Sequence, residues 1–411
     1  MSTKERPTLG GTRIKTRKRN IAAPLDPASF ADAIAQIYID HGGDLELIAK
    51  DVEASELDFS RYGETFFEVV YTGGRIQFGS TKPEEGERQP YCILNSEASR
   101  EKILPYVLFI QKIIRRRPFM IKSLENVMQR LLQSLELYGQ IDRLKLAIFT
   151  ALTFSQKLSG LPPENIFSVL LKDSLVAKGT VLGFITDCFN EYLVENSFDD
   201  LIALLKRAKI EDRLLEFFPM QKRTMECFSE HFSKAGLIPL VEYNEKKVFD
   251  VKLKELRNYL ADQFSEDVNM DELMESLKQR CKEASLPDAE VVRTVWEALM
   301  DAIQWSGKNQ QQNVNLALRQ VKTWGALLGS FTNTGKLELE LIYTIQTYCY
   351  EDAKLMKLFP EIIRALYEKD VLAEDTILFW FKKGSNPKGR QIFVKGLEPF
   401  VKWLEEAEEE D

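Results

Sequence analysis

From Ser29 onward this 411-residue chain repeats its apolar side chains at helical spacing, and strand-type alternation is nearly absent. No other feature restricts the fold as much. Without alternating strands there is no sheet to cover, so each apolar stripe must be buried against another helix. ASFADAIAQIYIDHGGDLELIAKDVEAS predicts two short helices joined at Gly42-Gly43. VYTGGRIQFGSTKPEEGERQPYC is the least helical stretch and predicts a long loop between helices. IKSLENVMQRLLQSLELYGQ, DRLKLAIFTALTFSQKL and FDDLIALLKRAKIEDRLLEFF predict amphipathic or apolar helices of about three to five turns. LEFFPMQKRTMECFSEHFSKAGL reads as a break and then a helix, with Pro219 opening and Gly236 closing. Successive helix pairs of this size predict an all-α fold of stacked antiparallel pairs, an α-solenoid, although no fixed-period repeat is visible.

The stretch EYNEKKV reads as a domain boundary. Beyond it Phe249, Leu253, Leu256, Leu260 and Phe264 fall on one helical face. More helices follow, among them DAEVVRTVWEALMDAI, NVNLALRQVKTWGALLGSF, ELELIYTIQTYCYEDAKLMKLF, PEIIRALYEKDV and EDTILFWFKK. The expected organisation is a flexible basic arm over 1–28, a helical-repeat domain over 29–245, a second helical domain over 246–404 and an acidic tail over 405–411. Two domains of this length each bury a real core.

Every tryptophan lies from Trp296 onward, and the chain ends FVKWLEEAEEED. The net charge of −8 also belongs to the part from Val248 onward, the remainder being balanced. Rings supply contact area and carboxylates supply charge complementarity, so this surface suits a lysine-rich partner and argues against a nucleic-acid groove. Trp296, Trp305 and Trp324 are expected in the core. For Trp380 and Trp403, beside charge runs, core and partner contact both stay open.

Catalytic chemistry is not legible. The five cysteines are scattered with no C-x-x-C pair, and the only histidines are His41 and His231, which excludes zinc ribbons and His/Cys metal sites. GSFTNTGKL resembles a P-loop, but five residues separate Gly329 from Gly335 where the motif has four, and Leu337 stands where a hydroxyl should hold magnesium. G-x-G-x-x-G, G-x-S-x-G and H-E-x-x-H are absent. Glu338 and Glu340 read as a charged face and not as an acid–base pair. The chain reads as a non-enzyme without cofactor. MSTKERPTLGG has no apolar core of a secretory signal, and no apolar run approaches the ~20 residues of a spanning helix, so a soluble cytoplasmic protein is expected.

The arm carries Arg13, Lys15, Arg17, Lys18 and Arg19. A solvated tail and a weak contact to RNA, the ribosome or another polyanion are both compatible with it. A forked leucine-zipper DNA reader is not. The heptad from Leu124 runs through Leu131 to Tyr138 and Lys145, and the basic run lies far upstream of it instead of continuing into the helix.

TLGGTRIKTRKRN, DLELIAKDVEASELDFSRYGETFF, RLLEFFPMQKRTMECFSEHFSKAGL, VRTVWEALMDAIQW, LELELIYTIQTYCYEDAKLMKLF, EKDVLAEDTILFWF and FVKWLEEAEEED together resemble the basic leucine zipper and W-two domain-containing proteins, also called mimics of eukaryotic translation initiation factor five. The resemblance spans nearly the full chain. It implies a HEAT/ARM-like solenoid ending in a W-two domain. It also implies binding to lysine-rich segments of the beta subunit of initiation factor two and to the c subunit of factor three. Factor five carries an activating module with an arginine finger and a zinc ribbon, which the missing C-x-x-C pairs do not supply here. The resemblance therefore implies a competitor that restrains factor five and raises start-codon stringency. By the family pattern Glu374, Asp375 and Trp380 form a first partner-binding box, and Trp403, Glu405, Glu406, Glu408, Glu409 and Glu410 a second. Pro399 departs from that pattern, since a proline inside the last helix would kink it or open a new one. The other readings are a nucleic-acid-binding or transcriptional regulator acting through the arm, and a generic helical scaffold.

Overall fold

Three aspartates set the first three helices. In the computed structural model, which describes residues 8–9, 12–13, 26–76, 88–158, 160–265, 268–305, 309–352 and 355–408, Asp26, Asp44 and Asp58 cap α1 (Pro27–Asp40), α2 (Leu45–Ala54) and α3 (Phe59–Thr72). The Asp44 carboxylate, for example, accepts from the amides of Glu46 at 2.9 Å and Leu47 at 3.2 Å, pairing donors that an uncapped helix leaves open. Gly42 and Gly43, at φ 56 and 82°, make the turn between α1 and α2, a backbone that larger residues resist. Pro27 stands at the first position of α1, so the helix begins inside the stretch read as arm.

The first unit, Met1–Val241, continues through α4 (Arg100–Arg116), α5 (Ile121–Leu132), α6 (Gln140–Ser155), α7 (Pro163–Phe167), α8 (Asp173–Val176), α9 (Thr180–Tyr192), α10 (Phe198–Arg207) and α11 (Met225–Lys234). In it α1, α3, α5 and α7 pack in succession as one layer, and α2, α4, α6 and α9 as the other. That alternation is the stacked-pair arrangement of a solenoid. Among the described residues the only sheet is the pairing of β1 (Thr8–Leu9) with β2 (Thr12–Arg13).

Two expected helices are shorter than their periodicity implied. FDDLIALLKRAKIEDRLLEFF is helical only to Arg207. Lys209 then takes φ 54°, and the Ile210 amide reaches back to the Leu205 carbonyl at 3.1 Å. This is a left-handed C-terminal stop without the glycine that would have announced it. Leu214–Phe217 follows as a 3₁₀ turn. α11 is opened by Thr224, whose hydroxyl accepts from the Cys227 amide at 3.2 Å, while Pro219 only precedes a 3₁₀ turn at Met220–Lys222. Gly236, at φ 80°, follows the end of α11 as expected.

The second unit, Glu242–Asp411, contains most of α12 (Ile238–Ser265), then α13 (Met270–Glu283), α14 (Asp288–Asp301), α15 (Gln310–Phe331), α16 (Gly335–Glu351), α17 (Phe359–Tyr367), α18 (Glu374–Lys383) and α19 (Arg390–Glu408). EYNEKKV is helical, within α12. Leu256 and Leu260 of its apolar face are buried, with Phe249, Leu253 and Phe264 packed beside them. Helices α14, α16 and α18 form one layer and α13, α15, α17 and α19 the other. Trp296 and Trp324 are buried and Trp305 half-buried, so these three rings belong to or border the core. No helix among the described residues is long and apolar enough to cross a membrane.

Candidate functional site

EDTILFWFKK forms α18 with Glu374 and Asp375 in its first turn and Lys382 and Lys383 in its last. That order suits the helix dipole, acid at the positive end and base at the negative. Glu374 is half-buried and Asp375 exposed. Thr376, Ile377 and Trp380 face inward.

Trp380 is fully buried, with 0% of its surface exposed. Its ring lies 5.0 Å from that of Phe359, which in turn lies 4.6 Å from Phe393 of α19. Its indole N–H donates to Gln346 Oε1 at 3.0 Å. The Gln346 amide donates onward to the carbonyls of Asn386 at 3.0 Å and Lys388 at 2.6 Å. Arg390 donates to the carbonyls of Trp380 at 3.1 Å and Phe381 at 2.9 Å. The reading of Trp380 as a partner-contact residue is therefore corrected. Its ring offers no accessible face, and it fixes the connection from α18 to α19. The outward aromatic of this helix is its neighbour Phe379, at 47% exposed. Charge and motif do not single out Phe379, although a helical wheel anchored on Thr376, Ile377 and Trp380 turns it to solvent.

In α19 the inward stripe is Phe393, Leu397, Val401 and Leu404. Pro399 lies inside this helix. It supplies no amide for the usual bond to the Lys395 carbonyl one turn earlier, and both residues are exposed. Trp403 falls off the stripe and is 54% exposed. It stacks on Phe400 with centroids 5.8 Å apart and meets the edge of Tyr367 of α17 at 6.3 Å. Three rings thus form an aromatic patch in which Trp403 is exposed and Tyr367 and Phe400 are half-buried.

Of the tail carboxylates, Glu405 pairs with Lys382 of α18 at 2.9 Å, and Glu406 is exposed. Glu408 closes α19. Glu409 and Glu410 lie outside the described residues, as do Lys15, Arg17, Lys18 and Arg19; Arg13 is described only as backbone in β2.

The rest of the unit offers little chemistry. The P-loop-like GSFTNTGKL joins α15 to α16, with Thr334 as the cap of α16. Burial pushes the Cys281 thiol up to about 11 and Cys349 up to about 12, so neither is a thiolate near neutrality. Among the described residues no cluster of three His, Cys, Asp or Glu side chains is placed to hold a metal ion.

The second unit is thus of the two-layer helical-repeat class, with an exposed tryptophan, Trp403, near the end of its last helix. Comparison with known proteins agrees. Residues 14–254 match the 5MP1/2 HEAT domain, and residues 337–411 match the W2 domain described as eIF4-gamma/eIF5/eIF2-epsilon. The chain is 31% identical over 415 residues to eIF5-mimic protein 1 of Homo sapiens, covering 100% of this chain and 98% of that protein. It is 32% identical over 408 residues to eIF5-mimic protein 2 of Homo sapiens, covering 99% and 96%. The chain belongs to the eIF5-mimic protein family.

Proposed function

We propose that this chain regulates translation initiation as a non-catalytic, cytoplasmic docking protein. Its second unit binds lysine-rich segments of the beta subunit of initiation factor two and the c subunit of factor three. By occupying those segments it competes with factor five, restrains initiation and raises start-codon stringency. The observation that carries this reading is the Tyr367–Phe400–Trp403 patch at the head of an acidic run. Aromatic anchors of this kind are the residues on which binding energy concentrates, and carboxylates beside them select cationic partners. Membership of a family named for mimicry of factor five supports the competitor role. Glu374, Asp375, Trp403, Glu405, Glu406, Glu408, Glu409 and Glu410 are the proposed contact residues, with Trp380 as their internal support.

The test is a competition assay with purified beta subunit, c subunit and factor five. The chain should displace factor five from each, and Trp403→Ala should reduce displacement. Failure to bind either subunit would overturn the proposal. Deleting residues 1–25, which spares the Asp26 cap of α1, separates it from a nucleic-acid reading, because docking should survive that deletion.

A further inference from the structure

One carboxylate of the acidic run is already held by a lysine of the chain itself. Lys382, in the last turn of α18, places its Nζ 2.9 Å from Glu405 Oε1 of α19. Glu405 stands two positions after the exposed Trp403. The lysine next to that ring, Lys402, pairs within its own helix, with Glu398 one turn back at 3.0 Å. Lys382 instead reaches the acidic end from a neighbouring helix, as a cationic side chain of a partner would.

Both side chains hang from fixed backbone. Arg390 holds the carbonyls of Trp380 at 3.1 Å and Phe381 at 2.9 Å, just before Lys382, and the Gly384 amide donates to the Trp380 carbonyl at 2.9 Å. On the other side Leu404, the neighbour of Glu405, is fully buried. The two charged groups are nevertheless accessible, Lys382 at 57% and Glu405 at 44% exposed. An ion pair this exposed is weak enough to open. Its attachment to one rigid frame lets it re-form without a search, as an intramolecular contact does.

We propose that Lys382 is an internal competitor for the cationic partner. Its ammonium occupies the Glu405 carboxylate and has to be displaced before a partner's lysine takes that place. The inference rests on the docking reading and deepens it, because it makes one carboxylate of the site conditional on the chain's own cation. The contact lowers affinity about two- to fivefold, the worth of one exposed pair, and does not switch binding off.

The probe is an oligomer of dimethyl-lysine with fluorescein on its N-terminus, which keeps the positive charge but has no amine that can form an amide. Carbodiimide joins the Lys382 amine to the Glu405 carboxylate of the parent protein with loss of water. This internal cross-link, read by mass spectrometry, should diminish as the peptide saturates the protein. By anisotropy, Lys382→Gln should bind the peptide about two- to fivefold more tightly than the parent, with a nearly unchanged unfolding midpoint. Lys382→Arg keeps the charge and the pair and should bind like the parent. Peptide binding that leaves the internal cross-link undiminished, or parental affinity in Lys382→Gln, would overturn the competitor and leave the docking reading standing. No binding of the peptide by either the parent or Lys382→Gln would overturn the docking reading and the competitor with it.

Discussion

Gln346 and Trp380, on adjacent helices of one layer, share a hydrogen bond of 3.0 Å with both residues fully buried. The same glutamine amide holds the carbonyls of Asn386 and Lys388 in the segment that leads to the last helix. The packing of α18 and the segment that leads to α19 is therefore built on an internal polar link, and Phe379, the exposed aromatic of α18, sits on a helix held by a buried residue.

Gln346→Leu should therefore destabilise more than a change of shape alone. It leaves the indole N–H and two backbone carbonyls without their partner, and one such buried orphan costs about 1–3 kcal/mol. Trp380→Ala should cost about 3–5 kcal/mol through the cavity it leaves. Urea unfolding of both variants checks this. A Trp380→Ala protein as stable as the parent would sink the core role and favour the partner contact that the resemblance implied.

The sequence disclosed the fold class and most helix positions because the apolar stripes are long and regular, as in α12 and α14. It did not disclose where helices stop without glycine or proline, as at Lys209. It also did not disclose which of two adjacent aromatics, Phe379 or Trp380, turns inward. Tryptophan is commonly buried, and composition near a charge run obscured that prior. The partner of Trp380 lies 34 positions away in the chain, a pairing that local pattern does not carry.

Stability should depend on pH through His231. Its Nε2 lies 2.8 Å from the Thr186 hydroxyl, and that hydroxyl donates to the Leu182 carbonyl at 2.7 Å, so Nε2 carries the proton and donates. Burial holds the pKa of His231 below its ordinary 6.5. The unfolded chain thus binds more protons than the folded one in this window. The stabilising effect is complete above pH about 6.5 and is lost as pH falls through the lower folded value. His231→Gln, which keeps a donor toward Thr186, should flatten the urea midpoint between pH 7.5 and 5.5. An unchanged slope would place the titrating group elsewhere.

Pro399 should be replaceable at a gain. Proline in a helix interior is about 3 kcal/mol less favourable than alanine, offset by about 0.4–1 kcal/mol because proline restricts the unfolded chain. Pro399→Ala restores an amide opposite the Lys395 carbonyl and should raise the thermal midpoint. Helix α19 already runs through this position, so the Trp403 patch and its affinity for a lysine-rich peptide should stay the same. A loss of affinity would show that the proline sets the pose of Trp403.

Salt should separate the aromatic and acidic parts of the proposed docking surface. An exposed ion pair contributes only about 0.2–1 kcal/mol, so one tail carboxylate cannot hold a partner. Several together facing a lysine-rich segment contribute more at low salt, and this part fades as the screening length falls to about 8 Å at physiological ionic strength. A partly buried ring anchor is worth roughly 2 kcal/mol when truncated, and salt does not screen it. Lys382 already pairs with Glu405. Neutralising Glu406, Glu408, Glu409 and Glu410 should therefore weaken peptide binding and flatten its salt dependence. Adding Glu405→Gln should change little more, since it also releases the Lys382 charge. Trp403→Ala should weaken binding at every salt concentration with nearly the same slope. Titrations at low and high salt distinguish these outcomes. If the tail-neutralised protein binds as tightly as the parent, the acidic run only confers solubility and the cationic partner is held elsewhere on the second unit.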